Sequence, residues 1–370
     1  MSSYQLGVLA MYLPGKRLEE LSYFRKLSVY GKKLGLEVLV FTPDDLDHVK
    51  NRVQALVYNH SSRRWMRKRT PVPAIIYDRC RYHGIENYHK ISRFRARNSK
   101  LRYLSRPLAN KWTMHQILSE NAEIAKHLPA TILYSGNKEF LKFLKKHRSV
   151  YLKPRSGTGG RGIVRLQNTT GSTFLMQGRD QGRRIIPTQK INAQQISTRL
   201  STWRLIGRYI VQQGIPLTLK DGRVHDFRML VQKDGSGEWQ ITGCAGRVGP
   251  AHSVTSNLHG GGSAVPMDTL LRNRFPEKPK VDAIKEKAYT LGMDTARFVE
   301  EKFGSQCEIG IDLAIDPKGK VWLLEVNPKP SREVFYRIGE RRTYRNAIVR
   351  PLEYALWLLK NEVGHTAGFL

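Results

Sequence analysis

Two stretches hold most of the residues able to do chemistry. In Tyr151-Leu-Lys-Pro-Arg-Ser-Gly-Thr-Gly-Gly-Arg-Gly162, a strand ending in Lys153 runs into Gly157, Gly159, Gly160 and Gly162. Such glycines let the backbone approach a polyphosphate closely and aim N–H groups at it, with Lys153 and Arg155 supplying charge. No Gly-Lys-Ser/Thr closes the loop as in a P-loop, and the strand-like Ile163-Val-Arg-Leu that follows excludes the dinucleotide fingerprint, which opens a helix. A hairpin with a flexible tip would carry the same glycines. The second stretch, Glu308-Ile-Gly-Ile-Asp-Leu-Ala-Ile-Asp-Pro-Lys-Gly-Lys-Val-Trp-Leu-Leu-Glu-Val-Asn327, reads as a hairpin around Asp316-Pro317-Lys318-Gly319. With Ile315 opposite Lys320, Asp312 lies across from Leu323, and the period of two puts Glu325 and Asn327 on the face of Asp312. Two carboxylates and an amide converging there suit Mg²⁺, which takes one or two carboxylates and fills its shell with phosphate oxygens and water. A solvated polar face is the plainer reading, but the apolar Leu313, Ile315, Val321 and Leu324 argue for a buried pair of strands, where unpaired carboxylates are costly.

A third group is more diffuse. Asp226-Phe-Arg228, Arg247 and Asn257-Leu-His-Gly-Gly-Gly-Ser263 suit a second anionic site beside a nucleotide. Singly, each has an ordinary explanation: Arg228 pairing with Asp226, or His259 solvated in its glycine loop.

These residues need a scaffold. A chain of 370 residues, at roughly 150 per domain, makes two or three domains. Hydrophobic residues at 40% and charged residues at 25% exclude disordered, collagen-like and coiled-coil classes. The net charge of +32 calls for anionic company. Fifteen Lys/Arg against two acids fall between His60 and Lys111. Cys80, Cys244 and Cys307 are too scattered for a zinc knuckle or a disulfide framework, which points to a reducing compartment. Met1 to Leu13 has no signal-peptide character, and no run of about 18 apolar residues suggests a transmembrane segment, so a cytoplasmic location is expected. Strands at 6–12, 37–41, 53–58 and 74–77, with a helix marked by Leu18, Leu21, Phe24, Leu27 and Leu34, predict a small open α/β domain. Further helices are expected around Trp112, at 138–146 and 282–303, and at 345–360 with Ile348, Leu352, Leu356 and Leu359 on one stripe.

The order Lys111, Lys153 with its glycine loop, Asp226-x-Arg228, Arg247, Asn257 with glycines, Asp312 and Glu325-x-Asn327 resembles the ATP-grasp superfamily over about 110–330. Leu323-Leu-Glu-Val-Asn-Pro328 is the most specific element. Ile76-Tyr-Asp-Arg79, Asn110-Lys-Trp112, Tyr151-Leu-Lys-Pro154 and Asn327-Pro328 bring the whole chain closest to the YheC/YheD-like endospore coat-associated branch, and RimK-type glutamate ligases share several motifs. The resemblance implies an α/β, ATP-grasp fold: a pre-ATP-grasp α/β domain at 1–107, a lid subdomain with the glycine loop at 108–208, and a C-terminal subdomain with the magnesium site at 209–370. It implies ATP and Mg²⁺ as cofactors. Lys111 and Lys153 would reach the phosphates, and Ser156, Gly157, Gly159, Gly160 and Gly162 would close over them. Ile210 to Ile215 would be a hinge strand against the adenine, with Gln212, Gln213 and Ile215 bordering it. Asp312, Glu325 and Asn327 would hold Mg²⁺, while Arg228, Arg247 and Asn257 would serve the reacting groups.

The chemistry this implies joins a carboxylate to an amine through an acyl phosphate, with both substrates unidentified and a peptide or anionic polymer among the candidates. Its rival is a non-catalytic spore-coat or polymer-binding protein that keeps the fold. The rival draws on the basic segment 63–111, where Trp65, Tyr82, Tyr88, Phe94 and Tyr103 interleave with arginine. A solvated basic face explains that segment better than nucleic acid, because no nucleic-acid motif accompanies it. Spore coat proteins are the macromolecular partners implied.

Overall fold

A computed structural model describes residues 4–15, 17–81, 84–157, 160–169, 173–182, 184–201, 203 and 205–366. Helices and strands form a mixed α/β molecule around three large sheets, as expected. The first sheet has seven strands, ordered Leu46–Asp47, Arg52–Asn59, Leu36–Phe41, Tyr4–Leu9, Ile75–Asp78 and Arg102–Tyr103, with Arg64–Pro71 hairpinned onto Arg52–Asn59. Its central strands pair in parallel and are buried along their length, which is why they read as unbroken apolar runs. The helix Leu21–Lys33 lays Phe24 and Leu27 on it. The helix Ile85–Arg97 was hidden within the basic segment, because only Ile91 and Phe94 of its residues are buried.

The middle sheet is antiparallel throughout, in the order Thr131–Leu133, Tyr209–Gln213, Ser149–Pro154, Val164–Asn168, Thr173–Arg179 and Ile185–Asn192. The strand expected at 210–215 to border the adenine spans Tyr209–Gln213 and lies inside this sheet, between Thr131–Leu133 and the strand that carries Lys153. The third sheet, also antiparallel, runs Ser263–Pro266, Trp239–Val248, His225–Lys233, Glu308–Ile315 and Val321–Asn327. One face packs on the helix Lys278–Phe303 through Phe227, Met229, Ile309, Ile311 and Leu313. The helix Arg341–Thr366 returns to the first sheet. Ile348, Leu352, Ala355 and Leu358 are buried in its core, and Leu359 packs against them as expected, while Leu356 of the expected stripe is not among the residues of that core. Among the described residues no helix is long and apolar enough to cross a membrane.

Candidate functional site

The face of the third sheet turned away from its helix carries the charged residues, and cross-strand register assembles them. Arg247 lies opposite Asp226, Arg228 opposite Asp312, and Asp312 opposite Glu325. Ile309, Ile311, Leu313 and Ile315 fill the core, so alternation turns Asp312 outward. On the partner strand Val321 and Leu323 also fill the core, and unbroken alternation would bury Glu325 beside them. A bulge leaves Leu324 unpaired, returns Val326 to the core and places Glu325 opposite Asp312. The expected register is corrected here: Ile315 pairs with Val321, not Lys320, and Asp312 does not lie across from Leu323. The reason is the turn. The N–H of Asp316 donates to the Lys320 carbonyl at 3.0 Å, and its carboxylate accepts from the N–H groups of Lys318 and Lys320.

Asp312 is the electrostatic centre. Its Oδ1 accepts from Arg228 Nε at 2.5 Å, and Oδ2 lies 3.1 Å from Arg247 Nη2. Arg247 also donates twice to Asp226, at 2.7 and 2.6 Å. Burial opposes ionisation of Asp312, but the Arg228 and Arg247 guanidiniums outweigh it and hold the carboxyl well below its usual range. Arg228 therefore pairs across to the next strand rather than with Asp226, since the sheet sets Asp312 directly opposite.

The middle sheet brings up Lys153, whose Nζ donates to Gln212 Oε1 at 2.6 Å; Gln212 in turn donates to Thr131 Oγ1 at 3.3 Å. Burial lowers the Lys153 pKa, while the charge of Glu325 works against that. Gln213 accepts from the Ala130 N–H instead, and Ile215 lies beyond the end of the hinge strand. The helix Lys111–Leu118 starts at Asn110, whose side chain caps the N–H groups of Trp112 and Thr113. That start positions Lys111, which donates to the Gly157 carbonyl at 2.7 Å and stands 3.3 Å from Glu325 Oε1.

In the glycine loop Ser156 and Gly157 are exposed, and Gly159 lies outside the described residues. Gly160 and Gly162 have φ of +74° and +62°. A Cβ at Gly160 would come within 2.5 Å of Asn257 Nδ2, and one at Gly162 would strike Gln181 and Tyr209. Their glycines thus serve close packing of the loop as much as turning.

A cavity of about 1640 Å³ collects Lys111, Lys153, Ser156, Gly157 and Gln212 from one side and Arg228, Arg247, Asn257, Glu325 and Asn327 from the other. A smaller one of about 110 Å³ is bordered by Gln213, Ile215 and Asp312. Lys153, Gln212, Asn257 and Glu325 border both. Among the described residues no three His, Cys, Asp or Glu cluster as a ready metal site. The oxygen donors of Asp312, Glu325 and Asn327 nonetheless fit Mg²⁺, which needs few protein ligands when phosphate oxygens complete its shell. Asn327 Nδ2 is buried with no hydrogen-bond partner among the described residues.

Two contacts escaped the sequence reading. Asp226, named there beside Arg228, fixes Arg247 instead. Asp78 accepts from Lys329 at 2.8 Å and from Arg95, tying the first sheet to the segment just after Asn327. Asp78 belongs to Ile76-Tyr-Asp-Arg79, while Lys329 stands just past Glu325-x-Asn327-Pro328 and in no motif, so the sequence marked one partner and not the other.

The chain is similar to known proteins. A family model for YheC/D-like ATP-grasp proteins matches residues 100–358. The endospore coat-associated protein YheC of Bacillus subtilis (strain 168) is 28% identical over 333 residues, covering 87% of this chain and 88% of that protein. Endospore coat-associated protein YheD of the same strain is 25% identical over 345 residues, covering 92% and 75%. The crystal structure of D-cycloserine synthetase DcsG superposes with a TM-score of 0.55 at 13% identity, covering 96% of this chain and 99% of that one, and so shares the fold. Because the family match runs through every candidate residue from Lys111 to Asn327, the chain belongs to the YheC/D-like ATP-grasp family.

Proposed function

We propose that the protein is an ATP- and Mg²⁺-dependent carboxylate–amine ligase. The observation that carries this reading is one cavity in which Lys111, Lys153 and the glycine loop face Arg228, Arg247, Glu325 and Asn327. In this reading Lys111 and Lys153 hold the phosphates of ATP, and Ser156 to Gly162 cover them. Gln212, Gln213 and Ile215 border the purine, and Asp312, Glu325 and Asn327 hold Mg²⁺, which when bound neutralises phosphate charge. Arg228 and Arg247, anchored by Asp312 and Asp226, face the transferred phosphoryl group or the acceptor carboxylate; Asn257 stands against the loop. A carboxylate oxygen of the acceptor attacks the γ-phosphorus, the bond from that phosphorus to the bridging oxygen breaks, and ADP leaves. The amine nitrogen then attacks the acyl carbon, phosphate leaves with the bonding pair, and the nitrogen's proton passes to solvent. Positioning and charge neutralisation do most of such work, so no Ser-His-Asp triad is required.

The same reading divides the chain at 1–107, 108–208 and 209–370, with strand Tyr209–Gln213 built into the middle sheet. It makes the protein cytoplasmic with access to the endospore coat, in line with the names of its relatives. A second reading, a coat or anionic-polymer-binding protein without turnover, draws on Asp312, both of whose oxygens arginines already occupy. ADP release in Mg²⁺ across pools of carboxylates and amines tests the choice. Release that needs Mg²⁺ and one particular pair supports the ligase; none from any pool leaves the second reading.

A further inference from the structure

The larger cavity is roomy and strongly basic. At about 1640 Å³ it exceeds the roughly 300–1,000 Å³ of an ordinary small-molecule site. Ten of the side chains lining it are Lys or Arg and four are Asp or Glu. Those four acids are already engaged: Asp78 with Arg95 and Lys329, Glu19 with Arg81, Glu325 with Lys111, and Glu333 with Arg337. Arg228 and Arg247 are held by Asp312 and Asp226. Arg106, Arg155 and Arg161 line the cavity with no ion pair among the described residues, and Arg106 and Arg161 are exposed.

Two of these three, Arg155 and Arg161, belong to a basic stretch of the chain: residues 108–208 hold 18 Lys/Arg against four Asp/Glu, whereas 209–370 hold 23 against 19. The basic hairpin of the first sheet is different, because Arg67, Lys68 and Arg69 find Asp45, Glu37 and Asp47.

We propose that the cavity takes an acidic peptide, a chain of several carboxylates, as the acceptor, with Arg106, Arg155 and Arg161 holding the carboxylates that are not activated. Guanidinium groups suit this because each can grip a carboxylate through two parallel N–H donors. The inference rests on the ligase reading, which requires a carboxylate on the acceptor; nucleic acid and polyphosphate carry none.

The test is fluorescence anisotropy of labelled oligo-glutamate at fixed ionic strength, with unlabelled single-stranded DNA of equal charge as competitor and the Mg·ATP thermal shift measured in parallel. R106Q is expected to weaken oligo-glutamate binding about threefold and R106Q/R161Q about tenfold. K142Q/K145Q removes the same charge from the exposed face of the helix Asn137–Lys146, outside the cavity, and should leave it unchanged. R106Q should keep the wild-type Mg·ATP shift. Equal losses in both double variants would reduce the effect to net charge and overturn the proposal, as would DNA displacing the peptide as well as unlabelled oligo-glutamate does. Peptide binding through these arginines without any Mg·ATP shift would keep the peptide site and remove the ligase reading. A normal shift without peptide binding would remove the peptide site alone.

Discussion

Glu325 faces Asp312 across the sheet and Lys111 across the cavity, so its charge reaches both sides of the site. Glu325→Gln keeps size and hydrogen-bonding shape while removing one negative charge. In a ligase the loss bears on the transition state more than on ground-state ATP, so ADP release should fall by orders of magnitude while ATP affinity and melting temperature change little. A melting temperature that rises, with no Mg²⁺ dependence in either protein, would instead show two carboxylates relieved of repulsion in a metal-free shell. Lys153 makes a different contribution. It sits near the end of a strand, donates to Gln212 and lies 5.6 Å from the Tyr151 ring, so Lys153→Ala should fold normally yet lose about 1.5–3 kcal/mol of nucleotide binding, the usual worth of a charge-assisted bond. Unchanged ATP affinity by calorimetry would return the glycine loop to an ordinary hairpin.

At the scale of elements, the site depends on a bulge and on a turn. The unpaired Leu324 lets one strand serve the core with Val321, Leu323 and Val326 and the cavity with Glu325 and Asn327. The glycine turn packs against the loop that carries Asn257, which gives a paired experiment. Gly160 and Gly35 share φ of +74°, but a Cβ at Gly35 meets nothing within 4 Å. Gly160→Ala and Gly35→Ala should each lose about 1 kcal/mol or more to left-handed backbone strain. Only Gly160→Ala pushes on Asn257 and should weaken ATP binding. Equal ATP affinity in the two variants would separate Asn257 from the nucleotide.

For the whole molecule, buried ion pairs join the first sheet to the third. Arg79 and Arg332 converge on Glu308, which also accepts from Tyr77 at 2.6 Å, and Asp78 holds Lys329 and Arg95. Burial raises the Asp78 pKa, but Lys329 and Arg95 together pull it from 3.8 down to about 2. Because the folded value is depressed, its contribution is complete above the unfolded pKa and is lost as pH falls from about 4 towards 2, at about 2 kcal/mol. Melting temperature followed over that range should drop in the wild type. Asp78→Asn, which strands Lys329 and Arg95, should start lower at neutral pH and fall less steeply. An identical acid limb in both proteins would mean the pair does not couple the sheets. A ligand bridging the middle and third sheets should stabilise the whole: ATP at 100 times Kd adds about 2.7 kcal/mol, and only with a divalent cation. Equal thermal shifts without Mg²⁺ would count against Asp312, Glu325 and Asn327 as ligands.

Lys153 with its glycines was legible in the chain itself because glycine's freedom acts over a few residues, whereas Asp312, Glu325 and Asn327 were put on one face from a register that the structure corrects, and the bulge brings Glu325 opposite Asp312. The parallel strands of the first sheet and the helix Lys278–Phe303 followed from apolar runs and periodicity, which are equally local. The bulge was not legible, since Leu324 looks like any strand leucine until the turn at Asp316 and the core beneath Val326 fix where the register must slip. Nor was the partner of Arg228, because Asp226 is two residues away while Asp312 is 84 away and only sheet order makes them neighbours. The pairing within the basic segment was hidden for the same cause: Arg67 and Arg69, exposed as a solvated face would have them, meet Asp45 and Asp47, each 22 residues back in the chain. Charge and periodicity are properties of the chain, but which charges cancel depends on distances that exist only once the strands have paired.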